Sequence, residues 1–190
     1  HFYLGRRYRL KIQELIKAEC RVSLIGGVLS VKASSVSPES VKTHLDHWYR
    51  QRANEYFNRR ITELAEQIKW LNRPPPFRLV LMQRQWGSCS PKGRISLNPA
   101  LIKAPRDCIE YVILHELCHL KEHNHSPKYY HLLSQHMPHW EGTKSRLDGM
   151  AELILGDRPS DICAIRNGSA VHSSLLADPK SGHLRRKEAG

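Results

Sequence analysis

Residues 112–130 read VILHELCHLKEHNHSPKYY and hold four histidines and two glutamates in nineteen positions. His115, Glu116 and His119 form an H-E-x-x-H unit. Its chemistry requires a helix, because residues four apart project from one face and two imidazoles can then share one tetrahedral ion. A glutamate beside the first histidine reaches the open coordination position, where it serves as general base and later as general acid. Catalytic zinc takes three protein ligands and keeps a fourth position open. His123 is a poor third ligand: it continues the helix axis, about 12 Å along from His115 by helical rise. His125 lies between an expected helix stop at Asn124 and an expected N-cap at Ser126, where a reversing chain returns an imidazole to the ion. It also stands six residues after His119, the third-histidine spacing of H-E-x-x-H-x-x-G-x-x-H metalloproteases, with Glu122 in place of their glycine. A carboxylate from a later helix, such as Glu141, is the alternative. His131, His136 and His139 read as surface residues or as residues behind the ligands.

The elements that must position this cluster are legible on both sides of it. Ile109, Val112, Ile113, Leu114, Leu117 and Leu120 make the H-E-x-x-H segment apolar nearly all round, as in a buried helix. Asp107 and Glu110 have the form of a capping box at its start. Ser126 and Pro127 read as N-cap and first residue of a following helix that Pro138 ends, and a last helix covers about 140–155. Upstream, Val22, Leu24, Val28, Leu29 and Val31 around Gly26-Gly27 fit a hairpin. Ser37-Pro38 opens a long helix with Val41, Leu45, Trp48, Tyr49, Tyr56, Ile61, Leu64, Ile68 and Leu71 on one face, stopped by the prolines at 74–76. FRLVLMQ (77–83) and RISLN (94–98) read as strands separated by a turn-rich loop. The second could be a sheet edge above the metal, open to an extended peptide. Cys89 in that loop lacks an identifiable base and reads as structural.

Composition bounds what the chain can be. Its 190 residues suit one packed domain, and no run approaches the roughly 18 apolar residues that span a bilayer, so no membrane partner is expected. The chain opens on His1, as a fragment or processed product would. Five cysteines (Cys20, Cys89, Cys108, Cys118, Cys163) with no C-x-x-C unit argue against a disulfide framework or a zinc ribbon, and for a reducing, cytoplasmic setting. Net charge is +12, and residues 1–75 carry 14 basic against 7 acidic side chains. Such a bias suits an acidic partner, and weak, non-specific nucleic-acid binding is the first candidate beside a plain solvated surface. From Gly156 onward the pattern is polar, turn-rich and without periodicity, as in a disordered tail.

The stretches RQWGSCSPKGRISLNPALIKAP, YVILHELCHL and NHSPKYYHLLSQHMP together resemble the YgjP-like metallopeptidase-domain family, related to the SprT-like zincins. The resemblance runs from YLGRRYRLKI to about residue 155 and leaves the tail outside. It implies an α+β, zincin-like fold with a small antiparallel sheet packed on the H-E-x-x-H helix and further helices. It also implies zinc on His115, His119 and His125, with Glu116 as catalytic base. The expected organisation is a metallopeptidase domain over 1–155 and a tail over 156–190. The expected activity is zinc-dependent hydrolysis of a peptide or protein substrate. Two competing readings use the same residues. One is hydrolysis of a nucleoside triphosphate phosphoanhydride, with Arg84, Lys92, Arg94 or Lys121 on the phosphates. The other is a nucleic-acid-binding module with a structural zinc.

Overall fold

The computed structural model describes residues 1–15 and 19–155; the expected tail over 156–190 lies outside them. The chain opens with a short hairpin of β1 (Phe2–Tyr3) and β2 (Arg6–Arg7). Leu4 and Gly5 turn it with positive φ, and a Cβ at Gly5 would stand 2.8 Å from the Pro105 Cα, so only glycine allows that approach. The sheet that follows contains β3 (Arg9–Glu14), β4 (Arg21–Ile25) and β5 (Val28–Ala33) in the order β3-β5-β4. The expected hairpin is β4–β5, and Gly26 and Gly27 supply two consecutive positive φ values at its turn. β3 joins β5 in parallel.

Helix α1 (Pro38–Glu66) starts as expected, with Ser37 accepting from the Ser40 amide and Pro38 in the first turn. Every residue expected on its inner face is buried from Val41 to Ile68, while Leu71 is only partly covered. Ala53, Phe57 and Ala65 complete the stripe. The helix ends at Glu66, ahead of the prolines, because Gln67 and Ile68 tighten into turns on Leu64 and Ala65.

A second small sheet holds β6 (Phe77–Leu79), β7 (Gly87–Cys89) and β8 (Ile95–Leu97) in the order β6-β8-β7. Two expectations change here. Both three-stranded sheets are mixed rather than antiparallel throughout, because a long connection brings β3 and β6 in alongside β5 and β8 in parallel. The strand expected over 94–98 forms as β8 (Ile95–Leu97), central and buried, with Arg94 exposed just before it, and the stretch read as a turn, Gly87–Cys89, is an edge strand.

A 3₁₀ turn (Pro99–Lys103) leads into α2 (Arg106–Cys118), followed by α3 (Pro127–His136), α4 (Trp140–Gly149) and α5 (Ala151–Leu155). The last expected helix is thus two, broken at Met150. The capping box at α2 does not form. Pro105 is the N-cap, Asp107 bonds the Cys108 amide and pairs with Arg146, and Glu110 pairs with Arg60 at 2.9 Å. α2 also stops earlier than Asn124. The amides of Leu120, Lys121 and Glu122 fold back onto Leu117 and Cys118, so the helix closes at His119. Ser126 caps α3 as expected, accepting from the Tyr129 amide. α2 is the centre of the molecule: α1, α3, α4 and β7 all pack on it, and every residue from Cys108 to Cys118 except Glu110 is buried. The described residues therefore form an α+β fold with small sheets and helices around an H-E-x-x-H helix.

Candidate metal centre and active site

His115 and His119 leave α2 on one face, in its last turn and at its C-cap. The early helix stop then lets residues 120–125 loop back. This places the His125 Nε2 3.0 Å from the His115 Nε2, and the His119 Nε2 stands 3.2 Å from the same atom. Two nitrogens bound at about 2.0–2.1 Å to one tetrahedral ion stand roughly 3.3 Å apart, so this spacing fits three ligands of a single zinc-sized cation. Burial lowers the basicity of His115 far below that of a free imidazole and brings His119 down to about 4. Neutral rings offer the lone pairs that a metal needs. The His119 Nδ1 lies 3.1 Å from the Glu122 carbonyl, which accepts its proton and leaves Nε2 free to point at the centre. Glu122, where metalloproteases of related spacing have glycine, thus acts through its backbone.

Tyr129 packs against all three rings. Its ring stacks on His119 with centroids 4.6 Å apart and meets His115 and His125 at 5.2 and 4.8 Å. Its hydroxyl donates to the His115 carbonyl at 3.1 Å, and burial keeps that phenol protonated. Farther out, Tyr130 stacks on His125, and Trp140 stacks between Tyr130 and Tyr111. Sequence reasoning missed this aromatic support. The available signal was the pair of tyrosines one turn beyond the Ser126 cap.

Glu116 is fully buried, and neither carboxylate oxygen has a hydrogen-bond partner among the described residues. Burial holds its pKa well above the ordinary carboxylate range. Gly87 of β7 lies directly over it: a Cβ there would stand 2.7 Å from Glu116 Oε1 and 2.9 Å from its Cγ. The close approach of Gly87 to Glu116 is the feature that the turn reading of this loop concealed. Asn98 secures the loop that delivers it. Its amide donates to the carbonyls of Met82 and Gln85 at 2.8 and 3.1 Å, and its backbone N–H donates to Trp86. Cys89 is a neutral thiol, with its pKa raised to about 11 by burial and then by Glu116. Cys20, Cys89, Cys108 and Cys118 are all free, and Cys163 lies outside the described residues.

The remaining histidines and the alternative carboxylate stay apart from this cluster. His123, His131, His139 and Glu141 are exposed, and His136 is half-buried on α3. Among the described residues, the group able to hold a metal is His115, His119 and His125.

Residues 1–150 match the family model described as YgjP-like, metallopeptidase domain. The chain belongs to the YgjP-like metallopeptidase family. The family implies a divalent metal, and the three imidazoles are a donor set that fits one. Similar solved structures include two metallopeptidase zymogens. One is the metallopeptidase zymogen of Pyrococcus abyssi abylysin, 26% identical, with a TM-score of 0.44 over 49% of this chain and 91% of that one. The other is the metallopeptidase zymogen of Methanocaldococcus jannaschii jannalysin, 23% identical, with a TM-score of 0.40 over 53% of this chain and 96% of that one. No curated protein matches the chain. No helix among the described residues is long and apolar enough to cross a membrane.

Proposed function

We propose that this YgjP-like protein is a zinc-dependent metallopeptidase with His115, His119 and His125 as metal ligands and Glu116 as catalytic base. The observation that carries the reading is the convergence of three Nε2 atoms beside a buried carboxylate that has no hydrogen-bond partner among the described residues. Two buried imidazoles in the core would each cost about 1–3 kcal/mol if left unsatisfied, and a shared cation removes that cost. Zinc, when bound, supplies a Lewis acid that polarises a carbonyl and sharpens the acidity of water.

The chain's own residues do the rest. Glu116 takes the proton of the attacking water, and its buried setting makes the protonated carboxyl stable enough to hold it. It then delivers that proton to the leaving amine as the peptide bond breaks. β7 offers the substrate a template. Trp86 and Ser90 bond back to β8 at Asn98 and Arg94, so by strand alternation Gly87 and Cys89 turn their backbone groups to the open edge. An extended peptide added there would run past Glu116, held by main-chain hydrogen bonds. Peptide or protein is therefore the proposed substrate class. The same geometry argues against a purely structural zinc, since three protein ligands and a poised carboxylate leave one position for chemistry.

The test is the Glu116→Gln protein, loaded with zinc and assayed on an unfolded protein, on peptides and on nucleoside triphosphates. The amide is nearly isosteric but cannot take a proton. Peptide hydrolysis by the parent protein is expected to vanish in the variant while zinc content stays equal. Undiminished turnover in the variant would defeat the assignment of Glu116, and triphosphate hydrolysis without peptide cleavage would move the substrate class.

A further inference from the structure

The β3-β5-β4 sheet has one face in the core and one in solvent. Leu10, Val22, Leu24, Leu29 and Val31 join the core, so the alternate residues point outward. Among its paired residues, that outer face carries Arg9, Lys11, Arg21 and Lys32, all exposed, and no carboxylate. None of the four cations has an ion-pair partner among the described residues. Arg21 stands directly opposite Lys32 across the β4–β5 ladder. Like charges facing each other across a ladder are destabilising on their own, and an anion between them reverses the sign. Ser23 opposite Ser30 puts two hydroxyls at the middle of the same face.

We propose that this face binds duplex nucleic acid through its phosphate backbone, without sequence preference. Cations, hydroxyls and amides such as that of Gln13 are the groups that contact phosphates. Single strands are held largely by stacking on aromatic rings, and the paired residues of this face include none. A membrane surface would need a broad apolar face beneath the cations. Here only the neighbouring Ile25 and Val28, at the hairpin end, are apolar. The property is independent of the metallopeptidase site.

The experiment uses the full chain and a fluorescent duplex of about 20 base pairs, titrated by anisotropy between about 50 and 200 mM salt. Four phosphate contacts predict that log affinity falls with log salt at a slope of about −3.6. Removing two cations in K11Q/K32Q is expected to bring the slope to about −1.8. K69Q/R73Q removes the same charge beyond the end of α1 and is expected to leave the slope unchanged. Because all four substituted side chains are exposed, thermal unfolding midpoints should match the parent. An equal loss in both double variants would reduce the effect to net charge and overturn the assignment. So would tighter binding to a single strand of the same length, or binding to phosphatidylserine vesicles with none to the duplex.

Discussion

At the scale of single residues, two neighbouring histidines differ in what they can do. His125 brings its Nε2 within 3.0 Å of His115, whereas His123 is exposed on the loop between them. His125→Ala is expected to lose most of its zinc on dialysis against a mild chelator, because two imidazoles hold zinc poorly in a site shaped for three. His123→Ala is expected to keep it. The reverse pattern in measured metal content would mean that the third ligand is misassigned. Gly87 makes a second prediction of the same kind. A methyl group at 2.7 Å from Glu116 Oε1 forces the carboxylate aside while leaving the three imidazoles in place. Gly87→Ala should therefore retain zinc yet lose on the order of 10²-fold in kcat, the usual cost of displacing a catalytic group by about 1 Å. An alanine variant with full turnover would show that β7 does not control the base.

The elements act as mounts for these groups. α2 can carry polar residues through the core only because α1, α3, α4 and β7 enclose its apolar remainder. β7 in turn depends on Asn98, which is completely buried and ties Met82, Gln85 and Trp86 to the start of the 3₁₀ turn. Asn98→Ala leaves two carbonyls without their donor, at about 1–3 kcal/mol each. In a domain of this size each kcal/mol lowers the unfolding midpoint by about 2–4 °C. Calorimetry should find a drop of several degrees, and an unshifted midpoint would show that the loop holds its path without this amide. Ser126 sets the direction of α3 and hence of Tyr129 against the three rings. The short loop between α2 and α3 thus couples the cap of one helix to the histidines of the other.

For the whole molecule, the core closes within the described residues, with Ile154 of α5 as its last buried member. The polar, aperiodic composition of 156–190 offers little apolar surface to add to it. A chain ending at residue 155 is expected to unfold within about 1–2 °C of the full chain, a shift worth under about 0.5 kcal/mol. A larger fall in the midpoint would place part of 156–190 in the folded unit.

Local chemistry explains what the sequence by itself determined. Helix α1, the Gly26-Gly27 hairpin, the Ser126 cap and the H-E-x-x-H pair are all written in spacings shorter than one or two turns, where periodicity, proline and capping oxygens decide the outcome. The sequence placed the chain reversal too late: α2 closes at His119 rather than near Asn124, so the returning loop, and not axial rise along a longer helix, brings His125 to the cluster and leaves His123 exposed. The rest depended on partners distant in sequence. Asp107 and Glu110 were drawn from a local cap to Arg146 and Arg60, 39 and 50 positions away. The QWGSC stretch looked like a turn because glycine and serine favour turns. It became a strand because β8 supplied a ladder and Asn98 anchored its approach. The contact between Gly87 and Glu116 could only be decided by tertiary structure, since no spacing rule brings residues from two elements to within a single methyl group of each other.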